Sequence, residues 1–371
     1  MRPTNIAALL FLGCFSAGAV AEWRLNLKPG ISEISRSVFD LHMLIFYICV
    51  AIAVVVFGVM LWSIIYHRKS QGAKAHQFHE STSIEILWTL IPFLILIAMA
   101  FPASSTLIAM YDTRDGELTV QITGYQWKWR YQYVGEDVDY FSVLATPAEQ
   151  ISNQQPKGEN YLLEVDKPLV LPANRKVRFL LTSNDVIHSW WLPALAVKKD
   201  AIPGFINEAW AEPQQPGIYR GQCAELCGKD HGFMPIVVEV LAEAEFDQWL
   251  AGAKAAKADA ADAIQQAWTL EALLAKGEAV YRVQCAGCHQ LGGTGISGAF
   301  PALKDSPLIL NDREGHIQIV LKGKPGTAMQ AFGIQLTPVD LAAVITYERN
   351  AWGNDSGELV SPQEIQALLQ P

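Results

Sequence analysis

The sequence predicts a multidomain membrane protein: a two-helix transmembrane hairpin, then an all-β domain, then an all-α domain. Three observations carry this. Two long apolar runs lie in the first third of the 371 residues. The middle third breaks into short strand-like segments. The last third turns helical after an Ala-rich stretch. A chain of this length has room for two or three domains, and 51% hydrophobic residues is high for a purely soluble protein. Lys+Arg 28 against Asp+Glu 37 gives a net charge of −9, which excludes nucleic acid as a natural partner and suits a basic one.

The first element is a leader at 1–21: Arg2, an apolar run from Ile6 to Phe15, and Ala19-Val20-Ala21 as a small-residue cleavage site. Export follows. Leu12-Gly13-Cys14 offers a competing lipid-anchor reading, which Phe11 fits poorly. The segment 22–110 carries the hairpin, with spans at about 44–66 and 84–108. Leu44 to Tyr66 holds no charged side chain, and Ile84 to Met110 is interrupted only by Glu85, Pro92 and Pro102. Arg68, Lys69 and Lys74 outweigh Glu80 in the connection, which places it in the cytoplasm and everything after Met110 outside. Glu85 stands at the cytoplasmic edge of the second span, where a functional carboxylate and a snorkelling one are equally compatible with its position.

In 111–241, segments such as Glu117–Thr123, Lys176–Thr182 and Pro235–Val240 alternate with Gly, Pro, Asn and Asp, as in a β sandwich or barrel. Cys223-Ala-Glu225-Leu-Cys227-Gly-Lys-Asp-His231-Gly-Phe-Met234 offers two thiolates, an imidazole and a thioether, and Asp185-Val-Ile-His188-Ser-Trp190-Trp191 adds a second imidazole. A disulfide, a structural zinc site and ordinary core residues compete as explanations. Met234 has no use in a structural zinc site, whereas thiolates, imidazoles and a weak thioether suit copper in electron transfer.

With the aromatic run Gly124-Tyr-Gln-Trp127-Lys-Trp129-Arg-Tyr131, the Glu85-Ile-Leu-Trp88-Thr-Leu-Ile-Pro92 stretch and Asp200-Ala-Ile-Pro-Gly204, residues 30 to 240 resemble subunit II of haem–copper cytochrome c oxidase. The resemblance implies a cupredoxin-like Greek-key barrel with a dinuclear copper centre of the CuA type. Cys223 and Cys227 would bridge the coppers, with His188, His231, Met234 and the Glu225 carbonyl completing the set. It also implies a magnesium ion shared with subunit I at the Glu225 carboxylate, electron input at Trp127, and a proton path opening at Glu85. Trp129 and Tyr131 read as core packing.

The Ala-rich stretch within 242–268 reads as a tether. Beyond it, in 269–371, Cys285-Ala-Gly-Cys288-His289 is the c-type haem attachment signal: two thiols add to the haem vinyls and the adjacent imidazole ligates the iron. Met329 is the favoured distal ligand, because Met234 is the one other methionine beyond the membrane region. His316 competes, with a solvent-facing role as its ordinary reading. Thr337-Pro338 and Ser361-Pro362 predict closing helices near 338–350 and 362–370. The segment 270–355 resembles a class I cytochrome c, so the expected fold here is an all-α cytochrome c domain.

The assembled expectation is the electron-input subunit of a respiratory terminal oxidase, an oxidoreductase whose oxygen-reducing site lies in subunit I. Its cofactors would be haem c, dinuclear copper and the shared magnesium. Its partners would be subunit I, the other oxidase subunits, lipid, and a donor such as a cytochrome c, at a bacterial inner membrane with both redox domains outside. The competing readings are the electron-input subunit of a nitrogen-oxide reductase, and a non-catalytic anchored copper carrier.

Overall fold

The computed structural model describes residues 26–74 and 79–370; the leader and Cys14 lie outside them. Helix α1 (Glu33–Tyr66) and helix α2 (Thr82–Met110) are each long and apolar enough to cross a membrane. Their apolar side chains are left uncovered by the rest of the chain. Pro92 and Pro102 sit inside α2 without ending it.

Helix α1 starts at Glu33, well before the expected edge near residue 44, because its polar first turns have their own support. Ser32 and Ser35 cap each other reciprocally, Ser35 N–H donating to Ser32 Oγ at 3.1 Å and Ser32 N–H to Ser35 Oγ at 2.8 Å. Ile31 N–H donates to Ala194 O at 2.9 Å and Gln214 N–H to Ile31 O at 2.8 Å. The head of the helix is thereby fastened to the β domain.

That domain is two five-stranded sheets. One runs β3 (Val138–Ser142), β2 (Lys128–Tyr133), β1 (Leu118–Tyr125), β5 (Val177–Ser183), β8 (Asn207–Ala211); the other β4 (Leu169–Pro172), β10 (Ile236–Leu241), β9 (Gly217–Cys223), β6 (His188–Leu192), β7 (Val197–Ala201). Strand β5 shows the cause most plainly: Val177, Phe179, Leu181 and Ser183 are buried while the residues between them are half-exposed, the period-two pattern of a sheet with one covered face. The pairings β1 with β5 and β4 with β10 are parallel, and the other pairings are antiparallel. Val120, Ile122, Phe179, Trp190 and Ile236 fill the space between the sheets.

The expected tether is instead one continuous helix, α3 (Glu243–Gln265), and its first half is docked. The alanines favour helix, and Phe246 and Trp249 recur at a spacing that puts both on one face. Phe246 is buried, and the Trp249 ring lies 5.2 Å from that of Tyr133. Lys254 pairs with Glu136 at 2.6 Å, and Lys257 with Asp137 at 2.6 Å and Asp139 at 3.1 Å.

A helical region follows: α4 (Leu270–Gln284), α5 (Ala286–His289), α6 (Pro307–Asn311), α7 (Arg313–Lys322), α8 (Pro338–Asn350) and α9 (Pro362–Leu369). The two expected proline starts are present. Thr337 accepts from Asp340 N–H and Ser361 from Glu364 N–H, each at 3.1 Å. Helix α4 crosses α8 closely at Gly277, where a Cβ would lie 2.1 Å from Ala343 O.

Candidate metal centre

Strand pairing builds the centre. Trp190 of β6 pairs with Cys223 of β9, so His188 at the start of β6 and Cys223 at the end of β9 come to the same rim of the sheet. The chain then loops through Cys227 and a helical turn at His231–Phe233 before Met234, and re-enters the sheet in β10.

The donor atoms converge. Cys223 Sγ lies 3.9 Å from Cys227 Sγ and 4.0 Å from His188 Nδ1. Cys227 Sγ lies 3.4 Å from His231 Nδ1 and 3.5 Å from Met234 Sδ, and Cys223 Sγ is 3.4 Å from Glu225 O. Both cysteines are free, so no disulfide occupies the loop. His188, Cys223 and Cys227 form a buried group of metal-ligating type. Sulfurs this far apart can both reach shared ions at metal–sulfur bonds of about 2.3 Å, and the mixed sulfur and imidazole set is a soft one. The residues present therefore fit a copper pair.

Three supports were not legible as such in the sequence. Asp185 Oδ1 lies 2.9 Å from His188 Nε2, which fixes that nitrogen as the protonated one and turns Nδ1 toward the sulfurs. Gly124 makes room for the same ring, since a Cβ there would come 2.7 Å from His188 Cδ2. A glycine inside a strand is a signal of such close approach. Trp129, read as packing, presents its ring edge-on to His188 at 5.8 Å and donates its indole N–H to Met234 O at 3.2 Å. Tyr131 is the buried core residue expected.

Protonation follows the geometry. The Cys227 thiol donates to Cys223 and outweighs the cost of burial, lowering Cys223 to about 3. Cys223 and burial together push Cys227 up. The pair thus gives up one proton readily and keeps the second, as coupled thiols do. Burial opposes charge on His188, but Asp185 and Cys223 outweigh it and raise its pKa.

Around this centre, Trp127 is half-buried and donates its indole N–H to Cys227 O at 3.2 Å. Glu225 is exposed, with its carboxylate at the surface and its carbonyl turned to Cys223. Trp190 is fully buried, whereas Trp191 is 38% exposed and lines a cavity together with Cys223, His231 and Met234. Glu85 stands in the first turn of α2 beside a cavity lined also by Thr82, Ile86, Thr89, Leu90 and Phe93.

In the helical region, Cys285 and Cys288 are free, Cys285 as the N-cap of α5 and Cys288 within it, and burial raises both thiols. His289 Nδ1 lies 2.9 Å from Pro301 O, which leaves Nε2 free to face a ligand. Met329 is half-buried in the loop after α7. His316 is not solvent-facing: it is buried on α7 with Nε2 2.8 Å from Glu348 Oε2, because α8 packs over it.

Residues 118–241 match the family of the cytochrome c oxidase subunit II periplasmic domain, residues 20–105 that of its transmembrane domain, and residues 272–347 that of cytochrome c oxidase, cbb3-type, subunit III. The last match corrects two expectations: the resemblance of 270–355 to a class I cytochrome c, and the all-α cytochrome c domain as the fold of this region. The reason is the shortness of the motif, since Cys-x-x-Cys-His with a later Met marks attachment chemistry and does not discriminate among the helical folds that use it. The chain is 37% identical over 252 residues, 67% of its length and 92% of the relative's, to a "probable cytochrome c oxidase subunit 2" of Rickettsia bellii. It is 38% identical over 240 residues, 64% of its length and 74% of the relative's, to that of Rickettsia prowazekii. Among solved structures, the periplasmic domain of subunit II of cytochrome oxidase of Bradyrhizobium japonicum is 43% identical, with 38% of this chain and 96% of that one covered and a TM-score of 0.34.

Proposed function

The chain belongs to the cytochrome c oxidase subunit II family, an oxidoreductase subunit, and on that premise we propose that it relays single electrons from a c-type haem through a dinuclear copper centre to subunit I. There oxygen would be reduced to water with proton translocation. One observation carries the reading: two thiolates, two imidazoles and a thioether from β6, β9 and one loop converge within a few ångströms.

Copper held by His188, Cys223, Glu225 O, Cys227, His231 and Met234, and haem held by Cys285, Cys288, His289 and Met329, would supply two one-electron redox centres. The chain's own residues do the rest. Asp185 keeps the proton on His188 Nε2 so that Nδ1 presents a lone pair. Trp129 holds the carbonyl of Met234 and the ring of His188, so two ligands keep their places whatever the charge at the site. Pro301 O fixes the His289 tautomer. Rigid donors of this kind make small rearrangements on electron gain and loss, which is the requirement for fast transfer.

On this reading the exposed Glu225 carboxylate would share magnesium with subunit I, Trp127 would pass electrons toward Cys227, and Glu85 would open a proton path from the cytoplasmic edge. The β domain and helical region would lie on the periplasmic side of a bacterial inner membrane, served by a donor such as a cytochrome c. Delivery of copper is the weaker alternative, because exchange needs exposed ligands and Cys223, Cys227, His188 and Met234 are buried. A nitrogen-oxide reductase subunit is disfavoured by the family to which the chain belongs.

The test is metal and haem stoichiometry on the purified, copper-reconstituted chain with electron paramagnetic resonance. The expected result is hyperfine structure from one electron shared by two copper nuclei, beside one covalent haem. A single-copper pattern, or zinc, overturns the dinuclear reading.

A further inference from the structure

The ligand set and the helical region meet at the β1–β2 turn, Gln126-Trp127, and at Lys128, the first residue of β2. Gln126 is bonded in three directions. Its carbonyl accepts from Gln330 Nε2 at 2.5 Å, its N–H donates to Asp185 Oδ2 at 2.7 Å, and its side-chain amide donates to Cys227 O at 2.9 Å. Asp185 in turn holds His188. Gln330 adjoins Met329, so hydrogen bonds run unbroken from the loop of one candidate iron ligand to two candidate copper ligands.

Lys128 reinforces the junction. Its side chain is nearly inaccessible, Nζ donates to Gln284 Oε1 at 2.9 Å, and it lies 5.1 Å from the Phe332 ring and 5.5 Å from the Phe141 ring. Gln284 adjoins Cys285. A buried ammonium is costly without such partners, and Gln284 and Phe332 both come from the helical region. Within the Cys223–Met234 segment, Lys229 Nζ reaches Gly287 O at 3.4 Å and lies 5.7 Å from the Phe300 ring.

We propose that the Gln126–Lys128 segment is the intramolecular docking site of the helical region. Lys128 and Gln126 act as positioning residues that hold the segments around Cys285 and Met329 against the copper-ligand loop. An outside one-electron carrier then meets the helical region and not the barrel rim. The inference rests on the haem and copper reading above for its electron-transfer consequence; the docking itself does not.

The experiment compares the full chain in its oxidase complex with Lys128→Met, Gln284→Ala and the double variant. Amide hydrogen exchange is read over residues 283–289 and 327–333, alongside copper reduction after photoreduction of the haem. Loss of a charge-assisted hydrogen bond at the junction is expected to raise exchange and to slow haem-to-copper transfer, each by about tenfold or more. The copper hyperfine pattern should stay unchanged, and a reduced soluble cytochrome c should now reduce the copper directly. The double variant should be no worse than Lys128→Met alone, because the two residues act through one bond. Exchange and transfer both within about twofold of the parent, at the noise of such comparisons, overturn the proposal. A parent chain lacking haem or paired copper would sink the reading it builds on, and the exchange comparison would still decide the docking.

Discussion

The candidate copper-ligand loop and the Cys285–His289 region with Met329 are both built from Cys, His and Met, yet the fold treats them differently. In the β domain the donors stand together already: Cys223, Cys227, His188 and Met234 are buried, with His188 donating to Asp185 and Trp129 donating to the Met234 carbonyl to hold them in place. In the helical region Cys285, Cys288 and Met329 are only half-buried, and His289 alone has a fixed partner, Pro301. A paired sheet fixes the register of its strand ends to a fraction of an ångström, so a site at the rim inherits that rigidity. Short helices joined by loops carry no such register, and a large apolar group between them would complete their core.

Deleting candidate ligands separates the two regions most sharply. Cys227→Ser should abolish any paired-copper signal while leaving covalent haem intact, and Cys285→Ala with Cys288→Ala should do the reverse. Electron paramagnetic resonance and a covalent-haem assay read both. Loss of both signals in either variant would mean that the two regions are not independent sites. The helical region should also lose far more stability without its thiols than the β domain without Cys227, which calorimetry would resolve as separate shifts.

Asp185→Asn keeps the shape and removes the charge that orients His188. Copper affinity should fall by about 10–100-fold, the usual cost of losing such a partner, as measured by competition with a chelator. Unchanged affinity would show that Gly124 and Trp129 hold the ring by themselves. Gly124→Ala forces a Cβ to within 2.7 Å of that ring, an overpacking expected to cost about 1–3 kcal/mol. Denaturant unfolding of the chain would check it.

The smallest effect tests the linker helix. Burial would raise Asp139, but Arg130 and Lys257 outweigh it and hold its pKa below the ordinary 3.8. A lowered folded-state value means that the stabilisation is complete above 3.8 and lost as pH falls through the lowered value. The pairs are partly exposed, so the loss should be about 1 kcal/mol or less. Exchange in α3 around Lys257 should rise at low pH, and Lys257→Met should reduce the pH dependence to the share left by Arg130 and by the Lys254–Glu136 pair.

Much of this molecule is legible in its residues. The Cys223 to Met234 segment could be read as a soft-metal loop because its donors lie within one short stretch, and the hairpin because lipid imposes a length on apolar runs. Proline after Thr337 and Ser361 marked two helix starts for the local reason that Pro fits the first turn. Other features left weaker traces. The polar head of α1 looked like a preceding segment, since the local Ser32–Ser35 cap is reinforced by Ala194 and Gln214, far along the chain. The Ala-rich stretch looked like a tether because its anchors, Phe246 and Trp249, precede the alanines. His316 looked exposed because Glu348, which buries and bonds it, lies on another helix.

Side-chain type and local spacing are properties of the chain, and they set the available chemistry: which donors exist, how many, and in which segments. Only the tertiary structure decided which nitrogen of His188 faces the sulfurs, that Gly124 clears its ring, and that Gln126 and Lys128 join two modules. Those outcomes depend on contacts between residues remote in sequence, and such contacts exist only once sheet register and helix packing have brought them within hydrogen-bonding distance.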